Sequence, residues 1–120
     1  MKGLGCDVCG VSRMEELLSH EQRLSRVFTG AEQQYIFARV RAAETAAGLF
    51  AAKEALVKAL GTGFQGLFVS DIEIGHTDAG APYYVMNEKT LVALAHAGVQ
   101  SAFLSISHDA GVAMAVAVLE

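Results

Sequence analysis

The sequence has few cysteines and no long apolar run, and each absence narrows the class of protein. Its 120 residues contain two cysteines, Cys6 and Cys9, so a multi-disulfide framework is excluded and a reducing compartment is expected. No apolar run reaches the roughly 18 residues that a membrane-spanning helix needs. The opening MKGLGCDVCG lacks the apolar core and cleavage site of a signal peptide. We therefore expect a cytoplasmic protein with no membrane partner.

An excess of basic residues is also missing. The formal net charge is -4, so the molecule as a whole is not expected to attract nucleic acid. Hydrophobic residues make up 52% and charged residues 18%, a balance typical of a compact fold and not of disorder. Five of the nine basic residues are arginines within the first 41 positions. They indicate either solvated helix faces or a docking surface for an acidic partner.

The chain contains no internal repeat, linker or low-complexity segment, so we predict one α+β domain over residues 1–120. At least five strands and three or four helices are expected. The first predicted elements are a strand over 3–9, a helix capped by Ser12, and a helix with a capping box from Thr29 to Glu32. A long helix over 42–63, with Gly61 as its C-cap, and a hairpin that turns at 78–80 follow. The chain ends with a helix capped by Asn87 and two strands joined by residues 108–110.

The C-x-x-C spacing of Cys6 and Cys9 is used by zinc sites and by thiol redox enzymes. A structural zinc site needs about four ligands, and the four histidines of this chain are scattered without ligand spacing. A redox pair would normally stand at a helix N-terminus, whereas these cysteines lie in a predicted strand. Alternation along that strand sends them to opposite faces. A metal- or thiol-regulated protein remains an alternative.

The carboxylates of the chain indicate a chemistry that does not involve the cysteines. Asp7 lies in a short apolar strand, where a carboxylate must be solvated, paired or bound to a cation. On the long helix, Phe50, Glu54 and Lys58 are spaced i, i+4, i+8 and share one face. Glu54 and Lys58 form either an ordinary surface pair or part of a site in which two carboxylates hold Mg²⁺ and the lysine meets a phosphate.

Two further segments are candidates for contact with an anionic ligand. The turn Gly61-Thr62-Gly63 could bring backbone N–H groups close to phosphates, although a helix terminator explains the same residues. His108 lies within SISHDAG, but neighbouring residues of a strand point to opposite faces and no hydrolase triad is expected. His108 is better suited to donate a hydrogen bond to an anion.

Four blocks occur in the order seen in holo-(acyl-carrier-protein) synthases: GCDV, FAAKEALVKALGTG, DIEI with GAPY, and LSISHDAGVAMAVAV. The chain resembles that family over nearly its whole length. The resemblance implies the 4'-phosphopantetheinyl transferase fold, an antiparallel sheet packed with a long central helix. It also implies transfer of 4'-phosphopantetheine from coenzyme A to a serine of apo acyl carrier protein, with release of 3',5'-ADP. A homotrimer with active sites at subunit interfaces is implied as well.

The resemblance also assigns roles to individual residues. Asp7 and Glu54 would ligate Mg²⁺, and Glu54 could help to deprotonate the incoming serine. Lys58 would neutralise phosphate charge, His108 would contact coenzyme A, and Arg13 would face the carrier protein. The full set expected to bind coenzyme A is Phe50, Lys53, Lys58, Gly61, Thr62, Gly63 and His108.

The sequence departs from the family pattern at two positions. Leu49 stands where many members have arginine, and Ala81 stands where many have lysine. Lys53 or another basic residue would then compensate for the missing charge. A non-catalytic module that binds coenzyme A or a nucleotide on the same fold is the alternative function.

Overall fold

The computed structural model describes residues 1–61 and 66–120. Thr62 and Gly63 lie outside the described residues. The strands are β1 (Gly3–Gly10), β2 (Ile74–His76), β3 (Pro82–Tyr84), β4 (Ala102–Asp109) and β5 (Val112–Leu119). The helices are α1 (Val11–Leu18), α2 (Glu21–Ser25), α3 (Gly30–Phe37), α4 (Ala42–Leu60) and α5 (Glu88–His96), with a 3₁₀ turn at Val69–Asp71. Within these described ranges, no helix is long and apolar enough to cross a membrane.

The main sheet is antiparallel, with strand order β1-β5-β4, and α4 packs on one face of it. That inner face is built from small side chains, including the buried Ala113, Ala115 and Ala117 of β5. A Cβ added to Gly5 would lie 2.6 Å from the backbone N of Ala59. Small residues on the sheet therefore allow the helix backbone to approach closely, which brings side chains of α4 next to those of β1.

The outer face of the same sheet is uncovered and apolar. Alternation along each strand sends every second side chain to this face, and several of these are large and apolar. Their exposed fractions lie between 37% and 59%. They are Leu4 and Val8 of β1, Phe103 of β4, and Val112 and Met114 of β5.

A second, two-stranded sheet pairs β2 with β3. Their hairpin turns within residues 77–81, where the Thr77 backbone N–H donates to the Ala81 carbonyl at 2.9 Å. The buried Tyr84 of β3 donates its hydroxyl proton to the carbonyl of Ala52 in α4 at 2.6 Å. This bond ties the small sheet to the central helix.

The sequence predictions are confirmed for β1, for the Thr29–Glu32 capping box and for the Asn87 cap. Three details differ. The first helix begins at Val11 with Gly10 as its N-cap, because β1 runs directly into α1, so the Ser12 cap was wrong. The last turn lies at Ala110 and Gly111, where φ is positive, and residues 108 and 109 belong to β4. The described residues also contain a fifth α-helix, the five-residue α2.

Candidate active site

Asp7 and Lys58 meet where β1 crosses α4. Lys58 Nζ donates to Asp7 Oδ1 at 2.9 Å, and the two side chains are 55% and 16% exposed. Asp7 lies on the inner face because its register partner is the buried Ala115. The hydrogen bond and the negative charge of Asp7 raise the pKa of Lys58 above its ordinary value. The Lys58 side chain is therefore protonated and positively charged at neutral pH.

Glu54 lies one helical turn before Lys58 and is half-buried. Its negative charge also contributes to the raised pKa of Lys58. Among residues 1–61 and 66–120, none forms a hydrogen bond or salt bridge with the Glu54 carboxylate, and none donates to Asp7 Oδ2. Two carboxylates thus lie beside one ammonium group, each with oxygen atoms that accept no hydrogen bond from a described residue. That they hold Mg²⁺ stays a prediction.

This donor set suits Mg²⁺. The ion is usually held by one or two carboxylates together with waters and substrate phosphates, not by a complete protein cage. Consistently, the described part of the chain contains no group of three or more His, Cys, Asp or Glu side chains that could hold a metal by themselves. Asp7 and Glu54 supply the hard oxygen atoms that Mg²⁺ prefers, and the phosphates would have to come from a substrate.

Arg13 and Phe50 extend the same region towards α1. The Arg13 guanidinium carbon lies 4.8 Å from the centre of the Phe50 ring, within the range of a cation–π interaction. Phe50 is buried and shares its helix face with Glu54. The exposed Arg13 therefore lies over a residue one helical turn from Glu54.

His108 lies on the same sheet face as Asp7 but on a different strand. It pairs with Ala113, which pairs in turn with Cys9 of β1. Two strand spacings separate it from β1, a distance of roughly 10 Å. The fold therefore does not bring His108 into contact with Asp7. It places His108 in a separate cavity of about 320 Å³ that is lined by the first half of α4.

This cavity contains residues that sequence reasoning missed as site residues. The rings of Tyr35 and His76 stack with centroids 3.8 Å apart and an angle of 6°, and Arg39 lies 5.3 Å from the Tyr35 ring centre. Burial, and secondly the charge of Arg39, lower the pKa of His76, so its ring is neutral at neutral pH. The stack joins α3 to β2, which are far apart in the sequence, so no local pattern could have indicated it.

Lys53 has a different environment from the one predicted. Its side chain is fully buried, and Nζ lies 2.7 Å from Glu32 Oε1 and also donates to the Ile72 carbonyl. Desolvation lowers the pKa of Lys53, against the opposing effect of Glu32. A phosphate cannot reach an ammonium group without exposure, so the expected contact of Lys53 with coenzyme A does not fit this structure.

The turn after α4 is described only at Gly61. Gly61 has φ 73° and is the C-cap of α4, as predicted. Its N–H donates to the Lys58 carbonyl at 3.1 Å, so this N–H closes the helix and is not directed at a ligand. The predicted contributions of Thr62 and Gly63 lie outside the described residues.

The two cysteines are free and lie on opposite faces of β1, as predicted. Cys6 is exposed and Cys9 is buried. Burial raises the pKa of Cys9, against the effect of the nearby Arg13 charge. A thiol with a raised pKa is a poor nucleophile and a poor metal ligand, so the structure favours a packing role for Cys9.

The chain is similar to known proteins over nearly its whole length. Residues 3–117 match the model of the 4'-phosphopantetheinyl transferase superfamily. The holo-[acyl-carrier-protein] synthase of Trichlorobacter lovleyi is 40% identical over 98% of this chain and 96% of its own length. The chain belongs to the holo-[acyl-carrier-protein] synthase family. The Myxococcus xanthus member is 42% identical over 100% of this chain and 95% of its own.

Solved structures of the holo-[acyl-carrier-protein] synthase family share the whole architecture. The Helicobacter pylori synthase in complex with coenzyme A has a TM-score of 0.82 and 31% identity, and the match covers 98% of this chain and 99% of that one. The Neisseria meningitidis synthase has a TM-score of 0.88 and 28% identity, with 100% and 98% covered. The predicted α+β fold, with its antiparallel sheet and long helix, is thereby confirmed.

Proposed function

We propose that this protein transfers the 4'-phosphopantetheine group of coenzyme A to a serine of apo acyl carrier protein, with Mg²⁺ as its cofactor and adenosine 3',5'-bisphosphate as the second product. Family membership supports the reaction. The observation that carries the site assignment is the hydrogen bond from Lys58 to Asp7, one helical turn from Glu54, whose carboxylate has no partner among the described residues.

The reaction forms one O–P bond and breaks another. The serine oxygen attacks the phosphorus that bears pantetheine, and the bond from that phosphorus to the adenosine-side phosphate breaks. The leaving phosphate keeps the electron pair, and the serine proton passes to a base. Such a transfer needs mainly positioning and neutralisation of oxygen charge, which two carboxylates and a lysine suit.

Each side chain then has a distinct task. Asp7 and Glu54 would hold Mg²⁺, which when bound neutralises negative charge on the pyrophosphate. Glu54 also accepts the serine proton, directly or through a water molecule. The exposed ammonium of Lys58 neutralises the charge that develops on the leaving phosphate. The ring of Phe50 packs against the Arg13 guanidinium group and orients it. Arg13 then contacts the acidic carrier protein.

The remaining contacts with coenzyme A come from Thr62 and Gly63, which lie outside the described residues, and from His108. A nucleotide in the His108 cavity would extend from the carboxylates across α4. We also propose that the chain is a homotrimer, assembled through the uncovered outer face of the main sheet, with its active sites at subunit interfaces. The protein works in the cytoplasm, where both free cysteines stay reduced, without nucleic acid as a partner.

A transfer assay tests the proposed function. The protein is mixed with coenzyme A, Mg²⁺ and apo acyl carrier protein, and the carrier is weighed by mass spectrometry. We expect the carrier to gain one phosphopantetheine group. Binding of coenzyme A without transfer, across carriers of fatty acid and polyketide type, would instead indicate the non-catalytic module.

The site assignment is tested by Glu54→Gln, which keeps the size of the side chain and removes its charge. We expect the transfer rate to fall at least about a hundredfold, the effect typical of losing a transition-state base. Glu21→Gln, at an exposed carboxylate of α2, is the matched control and should retain the wild-type rate. Normal turnover in Glu54→Gln would contradict the assignment.

A further inference from the structure

Gly48 stands in the middle of α4 where alanine would make a more stable helix. Glycine in a helix interior costs about 0.5–1 kcal/mol relative to alanine, and alanine fills many neighbouring positions of α4. The backbone at Gly48 is ordinary helix, so no positive φ requires glycine here. The reason for glycine must therefore be the space beside it.

That space is occupied by His108. A Cβ added to Gly48 would lie 2.9 Å from His108 Nε2 and 2.9 Å from Ile106 Cγ2. Both residues belong to the inner face of β4, two positions apart along the strand. The imidazole therefore rests directly against the helix backbone at Gly48.

A methyl group at this position would displace the ring and the Ile106 methyl group, while the backbone of α4 stays in place. Contacts below 3.0 Å are too close for a real Cβ, so a neighbouring atom must shift. The atom concerned on His108 is at the end of an exposed side chain, which can rotate into the cavity at little cost. The helix backbone, in contrast, is fixed by packing against the small residues of the sheet.

We propose that Gly48 is a positioning residue that seats the imidazole of His108 for its contact with coenzyme A. The inference rests on the proposed function, which assigns that contact to His108. Gly48 acts only through the ring: the absence of its side chain fixes where the ring lies along α4, and hence which part of the ligand the ring nitrogens meet.

The experiment compares Gly48→Ala, His108→Ala and the double variant in the transfer assay. In Gly48→Ala we expect the KM for coenzyme A to rise about tenfold, as for a weakened hydrogen bond to a charged group, with kcat little changed. The double variant should match His108→Ala in KM for coenzyme A, because Gly48 affects the ligand only through the ring and its contact with Ile106 does not reach coenzyme A. Gly30→Ala, whose added Cβ meets nothing within 4 Å, is the matched control.

Two further measurements separate positioning from a general structural effect. The NMR signals of the His108 ring should shift in Gly48→Ala without any ligand, while the melting temperature stays equal or rises. If Gly48→Ala does not fold, Gly48→Ala with Ile106→Ala removes the second contact and leaves only the one with His108. Unchanged ring signals and unchanged KM would overturn the inference, whereas a wild-type protein without transfer would overturn the proposed function instead.

Discussion

At the scale of single residues, the stack of His76 on Tyr35 is the feature most sensitive to pH. The pKa of His76 is lowered from its ordinary value of 6.5 by burial, with Arg39 adding to the effect. In the unfolded chain His76 takes up a proton near pH 6.5, whereas in the folded chain it does so only at lower pH. Its contribution to stability is therefore complete above pH 6.5 and is lost as the pH falls towards the folded pKa.

We expect the free energy of unfolding of the wild type to fall more than that of His76→Gln between about pH 7.5 and pH 5.5. Urea unfolding at the two pH values measures the difference. His20→Gln, at an exposed histidine before α2, is the control and should keep the wild-type pH dependence. If His76→Gln showed the same pH dependence as the wild type, the fold would not disfavour protonation of the His76 ring.

The residue scale also shows what sequence could predict of the site. Asp7, Glu54 and Lys58 could be placed, because strand alternation and helix spacing fix the direction of each side chain. The environment of Lys53 could not, since its burial depends on Glu32 and on the carbonyl of Ile72, which come from other parts of the chain. The separation of His108 from Asp7 likewise depends on the strand order β1-β5-β4.

At the scale of elements, the close approach of α4 to the sheet is the main determinant of the site. It depends on glycine at position 5, where an added Cβ would meet the backbone of Ala59 at 2.6 Å. Backbone atoms, unlike the end of a side chain, cannot move aside without separating helix from strand. The geometry that joins Lys58 to Asp7 therefore requires this glycine.

We expect Gly5→Ala to lower the free energy of unfolding by about 1–3 kcal/mol, the usual cost of overpacking a core, and to reduce transfer activity. Chemical denaturation monitored by circular dichroism measures the loss. Gly30→Ala provides the control, because an added Cβ there meets nothing within 4 Å and the residue lies within α3. Equal stability of the two variants would mean that the helix can move away from the sheet freely.

Most elements could be predicted from local patterns, and the exceptions have physical reasons. α4 and the Asn87-capped α5 are long enough to show periodicity and capping. The five residues of α2 are too few for a helical period to emerge. The first helix begins at Val11, with Gly10 and not Ser12 as its N-cap, because the Val11 N–H bonds to the Gly111 carbonyl of the last hairpin. No local signal reveals that contact.

At the scale of the whole molecule, the exposed apolar outer face of the main sheet indicates a binding surface. Large apolar side chains gathered on one exposed face of a protein mark an interaction surface, and a second copy of the chain is the partner that the proposed trimer supplies. Phe103 is 58% exposed on this face. A charge at its position would have to be buried in the interface, at a substantial desolvation cost.

We expect light scattering to give the wild type three times the 12.7 kDa mass of the chain, and Phe103→Asp a lower mass. Leu91→Asp, at a 49% exposed position of α5, is the control and should assemble like the wild type. A wild-type mass of one chain, or full assembly of Phe103→Asp, would contradict the proposed interface.

The buried pair of Lys53 and Glu32 has a consequence for how the sequence can change over time. Losing either partner alone leaves an uncompensated charge in the core, at a cost of about 3–5 kcal/mol, which is a large part of the stability of a small domain. Replacing both by apolar residues would remove the charges but would leave the Ile74 N–H and the Ile72 carbonyl without these partners. The two positions should therefore be inherited together.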